Sequence, residues 1–325
     1  MPPPHQALST KDVPLDSLEA SSFAQDFARG LRGRPKHVAS KYFYDEVGSA
    51  LFDQICEQKE YYLTRTELSI LRDHASSLTS RVGACARVVE LGSGSGAKTR
   101  PLLDALQAPA EYLAVDVSAE PLEAAAAALR ERYRALRVIP VRADFMAAFG
   151  LPAPSDRVRA TVVYFPGSTI GNLVPSEAVE LLRRVRTACG PCAMVLGVDL
   201  KKEPARLHAA YNDAAGVTAA FNKNLLVRAN RELGANFEVD AFAHYAFYAP
   251  LPGRIEMHLV SSKRQRVELG REGFAFEQGE TILTEYSYKY TAVEVEQLAT
   301  RGGFRVAAWY TDSGEDFAVA LLESA

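Results

Sequence analysis

The run Glu90-Leu-Gly92-Ser-Gly94-Ser-Gly96 places three glycines at alternate positions directly after an apolar stretch, Arg87–Leu91. Glycines there permit positive φ and let a ligand lie against bare backbone. A helical pattern, Lys98–Leu106, follows, and a second strand pattern, Glu111–Val117, carries Asp116, 20 residues after Gly96. A carboxylate at that point can accept from both hydroxyls of a ribose. Strand, glycine loop, helix, strand and acid in that order describe a nucleoside site rather than a plain turn. The spacing departs from the Gly-x-Gly-x-x-Gly of nicotinamide binders, and no Gly-Lys-Ser/Thr follows to hold a triphosphate.

Other reactive residue types do not complete a site. Cys189-Gly-Pro-Cys192 has dithiol spacing, but a helix pattern, Ser176–Ala188, precedes it and a strand pattern, Ala193–Leu200, follows. That reverses the strand-to-helix order in which a helix N-terminus lowers a thiol's pKa, so a structural role is expected. The six histidines, His5, His37, His74, His208, His244 and His258, include no His-x-x-x-His pair and no neighbouring cysteine, so no metal site is expected.

The elements that must carry these residues alternate. Thr64-Arg65-Thr66-Glu67 has capping-box spacing and predicts a helix to about Ser80. Strand, helix, strand, helix and strand then follow over Arg87–Leu91, Lys98–Leu106, Glu111–Val117, Ala119–Arg134 and Arg137–Arg142. Strand Ala160–Phe165, helix Ser176–Ala188 and strand Ala193–Leu200 complete the series, which implies a parallel sheet covered by helices on both faces. Beyond it, 203–230 reads as helix and 237–288 as strands with turns at Pro252-Gly253 and Gly270–Gly273. Helix Thr291–Arg301 and strands Phe304–Tyr310 and Phe317–Leu322 read as a closing antiparallel hairpin.

The expected organisation is a flexible arm over 1–14, helices over 15–63, a main α/β domain over 64–200 and 290–325, and an α+β domain over 201–289. The last is inserted between strands five and six of the sheet. A length of 325 residues with 48% hydrophobic content allows two such domains. Lys and Arg total 37 against 40 Asp and Glu, a net charge of −3, so no basic field exists to hold nucleic acid. No stretch approaches the ~20 apolar residues that cross a bilayer, and Met1-Pro-Pro-Pro-His lacks the basic and apolar regions of a secretory leader. A cytoplasmic monomer acting on a small molecule is expected.

Glu90 with its glycines resembles motif I of class I S-adenosylmethionine methyltransferases, whose Rossmann-like fold has a mostly parallel seven-stranded sheet ending in an antiparallel hairpin. In that class an Asp-Phe pair after the third strand flanks the adenine, and Asp144-Phe145 stands in that position. Physically, Asp144 can accept from an exocyclic amine and Phe145 offers a ring face.

Further blocks narrow the likeness: Lys41-Tyr-Phe-Tyr44-Asp45 with Gly48-Ser49-x-Leu-Phe52-Asp53, Glu60-Tyr61-Tyr62-x-Thr64-Arg65-Thr66-Glu67, Lys98-Thr99-Arg100 after the glycines, and Phe165-Pro-Gly167-Ser168-Thr169-Ile-Gly171-Asn172. Ala210-Tyr211-Asn212-Asp213, Phe221-Asn222 and Glu285-Tyr-Ser287-x-Lys289-Tyr290 complete the set. Together they resemble the L-histidine Nα-methyltransferase family of ergothioneine biosynthesis over nearly all of the chain after about residue 35.

The resemblance implies trimethylation of the α-amino group of L-histidine to hercynine, with S-adenosyl-L-methionine as methyl donor. It assigns Gly92, Gly94, Lys98, Asp116, Asp144, Phe145 and Gly167 to the cofactor. It assigns Asn172 to the amino and carboxylate end of the substrate, Tyr61 and Tyr211 to the carboxylate, and Tyr44 and Phe52 to the surroundings of the amine. Glu285 and Ser287 match the pair that reads the imidazole, with Met257 lining that pocket. Tyr44, Asn172 and Tyr211 are thereby the candidates for direct participation in transfer, Tyr44 as the route for the ammonium proton. An Nα-methyltransferase for another amino acid, such as a prenylated tryptophan, is the nearest alternative, and Glu285 argues against it because an indole pocket has no use for a buried carboxylate. A protein or nucleic-acid methyltransferase, or a cofactor-binding regulatory module, is the alternative of a different class.

Overall fold

The structure is a computed structural model that describes residues 15–93, 99–117 and 119–325, apart from the side chains of 15–21 and 119–121. The expected arm over 1–14, Gly94 and Lys98 lie outside the described residues. The chain opens with α1 (Leu15–Arg32), β1 (Lys36–His37), α2 (Glu46–Glu57) and α3 (Leu63–Val82). The alternating series is β2 (Ala86–Leu91), α4 (Thr99–Ala105), β3 (Glu111–Asp116), α5 (Ala119–Arg132), β4 (Arg137–Arg142), β5 (Ala160–Phe165), α6 (Pro175–Cys189) and β6 (Ala193–Asp199). Then come α7 (Pro204–Tyr211), α8 (Val217–Leu233), β7 (Phe242–Ala249), β8 (Arg254–Ser261), β9 (Gln265–Leu269), β10 (Glu272–Phe276) and β11 (Thr281–Tyr288). The chain ends with α9 (Ala292–Gly302), β12 (Phe304–Thr311) and β13 (Phe317–Ser324).

Two compact units divide these elements: the described residues of 53–215, 247–256 and 286–325 form the larger, and 15–52, 216–246 and 257–285 the smaller. The larger contains a seven-stranded sheet in the order β12-β13-β6-β5-β2-β3-β4. Its strands β5, β6, β2, β3 and β4 are parallel, and β13 and β12 are antiparallel, as the closing hairpin pattern predicts. All six residues of β2 are buried, as a strand covered on both faces requires. Val89, Leu113, Val163, Met194 and Leu196 of the sheet pack in one core with Leu181, Leu182 and Val185 of α6 and Val295 and Leu298 of α9.

The chain runs outward from β2 through β3 to β4 and then returns to place β5 on the other side of β2. Ligands of open α/β sheets bind at the carboxyl ends of strands beside such a reversal, which is where the glycine loop after β2 begins.

Two local expectations are corrected. Thr64 and Glu67 do not form a capping box, because α3 begins at Leu63 after Tyr62, with no side-chain cap. Glu67 is instead fully buried, and both its oxygens accept from the N–H of Gly167 at 2.9 Å. The capping-box geometry does occur at α9, where Thr291 and Glu294 bond reciprocally. The helical pattern over 203–230 is broken into α7 and α8, because Gly216 adopts a left-handed conformation at φ 74° directly before α8.

The smaller unit holds β1, β9, β10 and the parts of β7, β8 and β11 within its bounds; the four-stranded sheet has the order β1-β11-β8-β7, and β9 and β10 form a separate hairpin. Its core is aromatic: Phe27, Phe237, Phe242 and Phe276 meet edge to face at centroid distances of 5.4–5.9 Å.

Gly197 of β6 is where β6 makes room for Glu67, since a Cβ there would collide with the Glu67 carboxylate. Gly197→Ala is expected to destabilise the protein by about 1–3 kcal/mol through overpacking. Denaturant unfolding of variant and parent measures it, and an unchanged midpoint would mean that Glu67 can move aside.

Candidate active site

The functional side chains fall into two sets, one in each unit. In the larger unit, Gly92 follows β2 at φ 71° and donates its N–H to the carbonyl of Val115 at 2.8 Å. Glu90, just before it, is buried and accepts from the hydroxyls of Tyr112, at 2.6 Å, and Thr99. Burial and the Glu90 charge push the Tyr112 hydroxyl well above its ordinary pKa, so it remains a donor. Glu90 thus ties the end of β2 to the first turn of α4, bracketing the glycine loop.

Asp116 ends β3 and is partly exposed. Phe145 stands edge to face with Phe165 at 5.7 Å, and its ring edge lies 3.7 Å from where a Gly92 Cβ would be. A bare glycine, a carboxylate at the end of the next strand and a ring face fit an adenosine group. Asp144 Oδ1 accepts from the N–H of Met146 at 2.8 Å, so part of this carboxylate closes its own turn. An ionised carboxylate has about four acceptor positions, which leaves capacity beyond that bond.

After β5 the chain turns through two left-handed residues, Gly167 at φ 76° and Ser168 at φ 57°. Glu67 holds the Gly167 N–H and Ser168 Oγ accepts from the Asp199 N–H at 2.9 Å, which fixes the turn at both ends. A short 3-10 turn, Thr169–Asn172, follows and ends at Asn172. Gly171 within it packs so closely on the backbone of Tyr288 that a Cβ would lie 2.7 Å from the Tyr288 carbonyl oxygen. That approach brings the Asn172 turn beside the strand that carries Ser287.

Tyr61 and Tyr211 are both buried, with rings edge to face at 6.4 Å. The Tyr211 hydroxyl lies 2.7 Å from Ser287 Oγ, and Lys289 Nζ donates to both, at 2.9 and 2.8 Å. Lys289 is paired with Asp199 at 2.7 Å, both wholly buried, and Asp199 also accepts from Lys202 at 2.5 Å and Tyr62 at 2.8 Å. Burial would raise the Asp199 carboxyl, but Lys289 and Lys202 outweigh it and hold it below its ordinary range. Burial would lower the Lys289 ammonium, and Asp199 with Tyr211 holds it above the usual lysine value.

The smaller unit carries Tyr44, Phe52, Met257 and Glu285. Tyr44 and Phe52 meet edge to face at 5.6 Å and both border Phe221, at 5.7 and 6.0 Å. Tyr44 stays 36% exposed at this cluster. Asp45 beside it accepts from the Gly48 N–H at 2.7 Å, Asn224 at 2.8 Å and Arg231 at 2.6 Å. Burial opposes the charge, yet Arg231 and the N–H donors hold the Asp45 carboxyl below its ordinary range. Asn222 is buried and donates to the His258 carbonyl at 3.0 Å, locking α8 and hence Phe221. Met257 is buried on β8, its carbonyl accepting from Thr284 at 3.1 Å, and Glu285 is half-buried on β11.

Sequence reasoning did not assign Tyr62, Glu67, Asp199, Lys202 or Lys289 to a site. One signal was available for Lys289: it follows Glu285 and Ser287 at alternate positions, the period of one face of a strand. Cys189 closes α6 and Cys192 precedes β6 as free thiols; their mutual hydrogen bond and burial push the Cys189 thiol up, while the same bond, Ser324 and Arg186 outweigh burial and hold Cys192 below its ordinary value. No cluster of metal-ligating side chains occurs among the described residues.

Residues 23–324 match the sequence profile of a family described as histidine-specific methyltransferase, SAM-dependent. The chain is 41% identical over 309 residues to the histidine N-alpha-methyltransferase of Mycolicibacterium smegmatis, covering 93% of this chain and 95% of that protein. It is 40% identical over 304 residues to the histidine N-alpha-methyltransferase of Mycobacterium tuberculosis, covering 91% and 93%. Against ergothioneine biosynthesis protein 1 of Neurospora crassa it is 29% identical over 307 residues, covering 89% of this chain and 33% of that protein.

Asp116→Ala leaves ribose hydroxyls without a charged acceptor and is expected to weaken nucleoside binding by about 1.5–3 kcal/mol. Calorimetry with S-adenosylhomocysteine measures this, and unchanged affinity would place the ribose elsewhere.

Proposed function

Because this chain belongs to the histidine-specific, S-adenosylmethionine-dependent methyltransferase family, we propose that it methylates the α-amino group of L-histidine three times to give hercynine, the first step of ergothioneine biosynthesis. The observation that carries this reading is the match to curated histidine N-alpha-methyltransferases at 40–41% identity over at least nine-tenths of the chain. The arrangement of Tyr61, Tyr211 and Ser287 supports it with hydroxyls suited to a free amino acid.

When bound, S-adenosylmethionine supplies a methyl group on a sulfonium, so transfer needs alignment more than a strong base. Gly92, Gly94, Lys98, Asp116, Asp144, Phe145 and Gly167 hold it. The Gly167 N–H is already given to Glu67, so this half-buried glycine would contribute through the close approach that a missing side chain allows. Tyr61, Tyr211 and Asn172 grip the carboxylate and amine of histidine. Tyr44 and Phe52 surround the amine with ring faces, which attract an ammonium and keep its methylated forms in place. Tyr44, exposed at one edge, passes the ammonium proton outward directly or through water. Glu285 accepts from an imidazole N–H, Ser287 completes the contact at the ring, and Met257 lines its side.

All these residues come from one chain, and the reading is of a monomer acting on a small molecule. A cytoplasmic location fits this reading, with the four cysteines free as a reducing compartment leaves them. No described helix is long and apolar enough to cross a membrane.

Mass spectrometry of histidine incubated with the protein and S-adenosylmethionine tests the reaction, and one, two and three added methyl groups are expected in succession. An unmodified histidine would refute it. Glu285→Ala is expected to weaken histidine roughly 10- to 100-fold, as a lost hydrogen bond to a charged group does. The same variant loses the desolvation cost of the carboxylate and is expected to accept tryptophan or phenylalanine better than the parent. Competition among the three amino acids measures both effects, and an undiminished preference for histidine would give the imidazole to another residue.

A further inference from the structure

The Glu285-Tyr-Ser287-x-Lys289 block ends in a lysine whose side chain is wholly buried, and no step above uses it. An ammonium has three donors and no acceptor. Lys289 directs them to the Tyr211 hydroxyl at 2.9 Å, Ser287 Oγ at 2.8 Å and Asp199 at 2.7 Å. Both hydroxyls must therefore accept from Lys289. They also share one hydrogen bond of 2.7 Å, which consumes one of the two protons they own. The other proton is directed to an acceptor outside this trio. Lys289 thus turns two adaptable hydroxyls into a pair with one outward donor, backed by a fixed positive charge that strengthens donation to an anion.

Asp199 keeps the cation in place. It accepts from Tyr62 and Lys202 as well as Lys289, so its carboxylate is shared by two ammoniums and does not cancel Lys289 alone. Asp316 and Arg206 lie at the outer side of the same cluster and pair with each other. With Asp312 beside Asp316, these groups comprise three cations and three carboxylates, so the positive field at the two hydroxyls is that of Lys289 in direct contact with them rather than of a net surplus.

We propose that Lys289 is the positioning residue for recognition of the substrate's α-carboxylate: without touching the substrate, it fixes Tyr211 as donor and supplies the positive field that the carboxylate meets. In this arrangement Ser287 donates to Tyr211, Tyr211 donates to the carboxylate, and Ser287 retains a lone pair for a ring N–H. The inference rests on the amino-acid methyltransferase reading and deepens it.

The test compares L-histidine with L-histidinamide, whose neutral amide replaces the carboxylate, as substrates of the parent and of Lys289→Met. The parent is expected to prefer histidine. Lys289→Met is expected to lose about 10- to 100-fold in kcat/KM for histidine, mostly in KM, while histidinamide changes by less than about threefold. Affinity for S-adenosylhomocysteine, read by calorimetry, is expected to stay at the parent value. Where Lys289→Met does not fold, the double variant Lys289→Met with Asp199→Asn removes both charges of the pair and is expected to show the same collapse of preference.

An equal loss for both substrates in the folded variant would overturn the proposal, because a scaffold role moves both alike. A parent indifferent to the carboxylate would overturn it too. If the parent methylates a different amino acid, the histidine reading fails, and the comparison is made with that amino acid and its amide. A parent that methylates no amino acid overturns both.

Discussion

A carboxylate taken out of water must find donors or cations, and in the larger unit three buried carboxylates find theirs at the ends of adjacent strands. Glu90 closes β2 by accepting from Thr99 and Tyr112, Glu67 reaches from α3 to the Gly167 turn after β5, and Asp199 ends β6 against Lys202, Lys289 and Tyr62. The carboxyl ends of a parallel sheet are where its loops must be bent into ligand-binding shapes. Each loop here is fixed at its base by a charge that cannot move without losing its partners. Removing one partner of such a group is far more damaging than its net contribution suggests, since the buried charge would remain.

The same constraint sets the electrostatics across pH. Asp199 has its folded pKa depressed, so its contribution is present above the ordinary carboxylate range and is lost only as pH falls through the lowered value. Lys289 is raised, so its contribution is present below the ordinary lysine value and is lost as pH climbs through the raised one. The pair is therefore intact across the whole neutral range. Lys202 moves the other way, because burial outweighs its attraction to Asp199, and of the two ammoniums it is the first to give up its proton as pH rises. The hydroxyls of Tyr211 and Ser287 thus face the same cation throughout the range in which an amino acid carries its carboxylate.

The smaller unit places its charge differently. Phe221, Phe52 and Tyr44 form a ring cluster without formal charge, and the charge that positions it lies behind the cluster, in Asp45 with Arg231 and Asn224.

By itself the sequence determined the features whose physics is local. The strand-helix alternation, the antiparallel closing hairpin and the place of Asp116 at the end of the second strand were all legible, because side-chain period acts over a few residues. That Phe145, after the third parallel strand, lies against Gly92 was decided by the fold. The tertiary structure alone decided the rest. Thr64 and Glu67 have capping spacing, yet Glu67 serves a backbone N–H 100 residues away, and no local signal reports a donor at that distance. Lys289 was visible within a motif but its task was not, since Tyr211 lies 78 residues from it in sequence. The break between α7 and α8 likewise follows from Gly216 adopting a left-handed conformation where the apolar period alone would continue. Burial is the common reason: a charged residue's role is fixed by which donors share its dry environment, and folding, not spacing, chooses them.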